Sequence, residues 1–128
     1  MYRITPIAIA LILLSEAAFT QGNTPYTAAE MSALLAKGLT VTSSDLQGGK
    51  EFTGRTQLTA DGKISGSVTP AGAQPISYTG TWKLNGARLC RTLVPIQPDE
   101  VCETWLKTGN KQATVVVNGK EASINRWQ

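Results

Sequence analysis

The sequence predicts an all-β domain with one short helix at its start, on three observations. Apolar residues recur with a period of two from Leu39 onward. The turn pairs Asp61-Gly62, Asn85-Gly86 and Asn118-Gly119 punctuate that alternation. Ahead of it, between Tyr26 and Gly38, the apolar spacing is helical instead. Sequential strands joined by tight turns make an antiparallel up-and-down meander of about eight strands, which loses its exposed edges by closing into a small barrel. A two-layer β-sandwich with the helix over one end is the alternative architecture.

The chain opens with the marks of export. Arg3 is the one charge before Ile4 to Leu14, a run apolar except for Thr5 and Pro6, and Ser15 to Gln21 are mostly small or polar. Residues 1–20 therefore read as a signal peptide, with cleavage expected between residues 17 and 22. The run is shorter than the ~20 residues a bilayer-spanning helix needs, and Glu16 closes it. No stable membrane anchor is expected after cleavage, and the product is placed in the periplasm or outside the cell. Residues 21–25 read as a loose lead, and residues 26–128 hold one domain with one core.

The helix is expected over residues 27–37. Thr27 is its N-cap with Glu30 as capping-box partner, Met31, Leu34 and Leu35 form an apolar stripe, and Lys37-Gly38 ends it. Strands follow at Leu39 to Ser43, Glu51 to Ala60, Lys63 to Thr69, Ser77 to Leu84, Arg88 to Val94, Glu100 to Lys107, Gln112 to Val117 and Glu121 to Trp127. Alternation turns Phe52, Thr56 and Leu58 inward, then Ile64 and Val68. It does the same for Tyr78, Trp82 and Leu84, for Leu89 and Leu93, and for Val115 and Val117. Gly54, Gly66 and Gly80 fall on these inner faces, which predicts a strongly curled sheet.

Cys90 and Cys102 flank the turn-rich segment Val94 to Asp99. A loop near Pro95 to Gln97 sets the two cysteines opposite each other across a hairpin, within disulfide reach. In an exported chain they are expected to be paired.

Composition removes several functions. The 128 residues contain no histidine. No Ser-His-Asp triad, histidine-bearing zinc site or imidazole proton shuttle can be built, and no catalytic thiol is activated. Twelve basic and nine acidic residues are interspersed, giving a net charge of +3 that argues against nucleic acid. Asp61, Asp99, Glu100, Glu103 and Glu121 read as solvated surface carboxylates. Asp61-Gly62-Lys63 and Asn118-Gly119-Lys120 offer too few oxygen ligands for calcium and read as turns. No metal and no cofactor are expected, and the chain reads as a non-enzyme.

Tyr78, Trp82 and Trp105 are the candidate ligand-contacting residues, because amphipathic aromatics line apolar and sugar-like pockets. Trp82 shares a face with Tyr78 and Leu84 and is assigned to the core. Trp105 lies on the face opposite Cys102, Thr104 and Leu106. It stays open between the core and an outward position held rigid by the disulfide. Trp127 is expected to close the last strand against the barrel.

The run Tyr26 to Met31, Leu58-Thr59-Ala60-Asp61-Gly62, Gly80-Thr81-Trp82, Leu89-Cys90 and Cys102-Glu103-Thr104-Trp105 resemble a family of short exported proteobacterial proteins of unknown function. That resemblance implies a periplasmic β-protein and transfers no catalytic residue. In size and architecture the chain is also similar to bacterial periplasmic inhibitors of secreted metalloproteases, which are small disulfide-bridged β-barrels, although its bridge lies late rather than early. The expected function is that of a monomeric, non-enzymatic binding or interaction protein. Its partner would be an unknown protein or a small apolar or glycan ligand. The alternative is inhibition of a secreted protease through the N-terminal segment.

Overall fold

A computed structural model describes residues 24–128; the expected signal peptide, its cleavage region and lead residues 21–23 lie outside them. The elements in order are β1 (Thr24–Pro25), α1 (Ala28–Leu35), β2 (Leu39–Ser44), β3 (Phe52–Leu58), β4 (Lys63–Pro70), β5 (Ile76–Asn85), β6 (Arg88–Leu93), β7 (Gln97–Gly109), β8 (Gln112–Val117) and β9 (Lys120–Arg126). Strands β2 to β9 pair antiparallel in sequence order, and β9 returns to β2 through Thr42↔Arg126, Ser43↔Asn125 and Ser44↔Ile124. The sheet is thus a closed eight-stranded barrel, not the alternative sandwich.

Thr24 and Pro25 correct the expectation of a loose lead. They pair with Lys107 and Leu106 of β7, beyond the point where β6 starts at Arg88. There β7 would otherwise leave its backbone groups unpaired.

Helix α1 forms where its capping box predicts. Glu30 Oε1 accepts from the Thr27 N–H at 2.9 Å, and Thr27 Oγ1 accepts from the Glu30 N–H at 3.1 Å. Met31 and Leu35 are buried in one cluster with Leu58, Ile64, Leu89 and Trp105. Consecutive strands alternate in direction. The α1–β2 junction, the β3–β4, β5–β6 and β7–β8 turns and the end of β9 therefore share one end of the barrel. The helix closes that end, together with Tyr26 and Trp127, whose rings lie 6.1 Å apart. The remaining four connections surround the opposite end, the mouth.

The predicted cysteine hairpin is present. Cys90 and Cys102 are directly opposed and disulfide-bonded, a constraint that stabilises the fold by about 2 to 4 kcal/mol in the chain-entropy model. The pairing then shifts, so that Leu93 rather than Val94 meets the returning strand, at Gln97.

The inner-face glycines admit close backbone approach, as their positions predict. A Cβ on Gly66 would stand 2.3 Å from the Arg55 carbonyl oxygen, and one on Gly80 would stand 1.8 Å from that of Thr92. Gly80→Ala is accordingly expected to destabilise the protein by about 3 kcal/mol, the upper end of ordinary overpacking costs. A urea midpoint that stays where it was would refute this close approach.

Candidate functional site

The inward side chains do not fill the barrel. A cavity of about 360 Å³ remains in the lumen. Toward the closed end its walls are apolar, with Val41, Leu58, Ile64, Leu89, Trp105 and Val115. Phe52, Val68, Leu93 and Ile96 continue this apolar wall toward the mouth.

Three polar groupings interrupt these walls. Thr56 Oγ1 and the Tyr78 hydroxyl are hydrogen-bonded to each other. Ser43 Oγ donates to Asn125 Oδ1 at 2.7 Å, across the seam where β9 meets β2. The third grouping is charged. Arg91 Nε donates to Glu103 Oε2 at 2.8 Å, and the indole Nε1 of Trp105 donates to Glu103 Oε1, also at 2.8 Å. Arg91 Nη1 donates to Gln97 Oε1 at 2.6 Å.

One expectation is corrected here, and the position left open for Trp105 is decided. Glu103 is not a solvated surface carboxylate: it is 4% exposed and faces the lumen. Trp105 does not stand outside beside the disulfide: it is 1% exposed and lines the lumen. The hairpin register explains both, because Glu103 lies opposite the inward Leu89 and Trp105 is two residues further along the same face. Of the three candidate aromatics, Tyr78 and Trp105 share the cavity. Trp82 packs against the core instead, where its indole Nε1 donates to the Thr59 carbonyl at 2.8 Å.

The mouth has a distinct chemistry. Among the described residues the large apolar side chains that are exposed are Leu46, Ile76, Val94 and Ile96. All four belong to the connections at the mouth or, for Ile76, to the first position of the strand leaving one. Among the described residues, large exposed apolar side chains are thus confined to one end of the barrel, and one of them, Ile96, also lines the cavity.

Asp45 orders the loop that carries Leu46. Its Oδ1 accepts from the Gln47 N–H at 2.8 Å, and its Oδ2 from those of Glu51 and Phe52 at 2.7 and 3.0 Å. Desolvation alone would raise its pKa, but the backbone N–H donors together outweigh it and lower the value to about 2. A folded-state pKa below the unfolded value means stability that is present above about pH 4 and lost as pH falls toward 2. Asp45→Asn is therefore expected to lower the melting temperature at pH 7, with the difference from the natural protein shrinking below pH ~4. Thermal melts of both proteins across that range check it; a constant difference would rule this role out.

No family model matches the chain, and no match was found among curated proteins or solved structures.

Proposed function

We propose that this chain is an exported, non-enzymatic barrel that binds a small, mostly apolar molecule in its lumen. The observation that carries the reading is the cavity itself. It lies within the range of roughly 300 to 1,000 Å³ typical of small-molecule sites, with largely apolar walls and a few convergent polar groups. The closed end holds a ligand by burial, and Ile96, exposed at the mouth and lining the cavity, puts apolar surface at its entrance. Export is supported by the apolar run Ile4 to Leu14 and by the disulfide, since such bridges persist in oxidising compartments. No helix among the described residues is long and apolar enough to cross a membrane. A binding rather than catalytic role is supported by Glu103, the carboxylate in the lumen, whose two oxygens are both engaged.

The test is a titration with the uncharged fluorophore N-phenylnaphthylamine. Saturable binding at one site per chain is expected, and Val68→Trp, which fills the upper lumen, should abolish it without unfolding the barrel. Absence of saturable binding, or binding indifferent to Val68→Trp, would remove the proposal.

A further inference from the structure

We infer that Glu103 is a specificity residue, cancelling the charge of Arg91 so that the lumen selects uncharged ligands carrying an acceptor oxygen and rejects acids. This rests on the reading of the lumen as a ligand site. Arg91 and Glu103 are the two charged residues that line the cavity, and they are paired, so its walls carry no net charge. Hydrogen-bonding capacity is a different matter. A guanidinium has five N–H donors, and Arg91 uses two, toward Glu103 and Gln97. Its other three have no protein acceptor among the described residues, and the side chain is 18% exposed at the cavity wall. The Asn125 and Gln97 amides, which only accept here, and one hydroxyl of the Thr56–Tyr78 pair keep neutral donors; Arg91 is the charged donor on the wall and so the strongest.

Charge decides which acceptor fits. A ligand carboxylate on Arg91 would gain its attraction but meet the repulsion of Glu103, a few ångströms away on the same guanidinium. The two terms offset, and the cost of taking a carboxylate out of water stays uncompensated. Nor can the acid displace Glu103, which is held on its far side by Trp105. An ester or ketone oxygen accepts a charge-assisted hydrogen bond without bringing charge into the lumen. A plain hydrocarbon leaves the donors facing no acceptor. The cavity equals the liquid volume of about twelve waters, enough for a short chain with one oxygenated group, whose remainder would meet the apolar walls.

The experiment displaces bound N-phenylnaphthylamine from the exported protein with methyl decanoate or decanoate at neutral pH. The ester is expected to bind at least tenfold more tightly than the acid. Glu103→Gln keeps an acceptor for Trp105 while freeing the charge of Arg91, and should reverse the order in favour of decanoate. Equal or tighter binding of decanoate by the natural protein overturns the inference, as does a folded Glu103→Gln protein with an unchanged ratio. The ratio in the natural protein carries the test whether or not the variant folds. If the fluorophore binds nowhere in the lumen, the failure belongs to the binding reading and not to the charge argument.

Discussion

Glu103→Ala is expected to destabilise the protein by about 2 to 4 kcal/mol. Removing one member of a buried ion pair costs about 3 to 5 kcal/mol, because the partner is left as an uncompensated charge. Arg91 is 18% exposed, so water in the lumen hydrates it and lowers that cost. With that hydration the ion pair's share falls toward the ~1 kcal/mol of exposed pairs, and the loss of an acceptor for Trp105 Nε1, in a side chain 1% exposed, adds about 1 to 3 kcal/mol for an unpaired buried donor. The double variant Arg91→Met with Glu103→Gln removes both charges and keeps an acceptor for the indole. It is expected to recover most of the loss, and urea denaturation of the natural protein, Arg91→Met, Glu103→Gln and this double variant yields the coupling directly. A double variant no more stable than Glu103→Ala would mean that the unpaired Arg91 is not the origin of the loss.

Trp105→Ala is expected to cost about 3 to 5 kcal/mol, a large share of the roughly 5 to 15 kcal/mol that holds a small domain together. Trp105 heads the fully buried side chains by volume, stands 5.7 Å from the Trp127 ring and satisfies Glu103. Truncation would open the lumen wall toward the packing beneath α1. Trp105→Phe keeps one aromatic ring but loses the hydrogen bond and the volume of the second ring, so it should cost less than Trp105→Ala, about 2 to 3 kcal/mol. Equal losses for the two variants, read from denaturant midpoints, would show that packing contributes little.

The parts of the fold legible in the sequence are those whose signals are local. The capping box at Thr27 and Glu30, the turn at Asn118-Gly119 and the opposed cysteines each sit within a short span of chain. Closure into a barrel follows from the sequential meander, but the register of β9 on β2 joins residues eighty or more positions apart, and no turn residue announces it. Strand β1 is hidden for another reason: two residues carry no periodicity, and they pair with the stretch of β7 that β6, starting at Arg88, does not reach.

The site was within reach. Leu89 and Leu93 point inward by alternation, which places Arg91 between them on the same face; Cys90 opposite Cys102 then turns Glu103 and Trp105 inward. The segment Val101-Cys102-Glu103-Thr104-Trp105-Leu106 obscures this, because apolar and polar residues fall on both of its faces. A carboxylate in such a run reads as a marker of the outer surface until register with the neighbouring strand is imposed.

The pairing of Thr24 and Pro25 with β7, and the descent of β9 to Trp127, bring both ends of the described chain to the side away from the mouth. A tether at either point would therefore present the opening outward. Copies arrayed on a surface through that side would all stay accessible, and linking two of them would raise the local density of binding sites without obstructing either lumen.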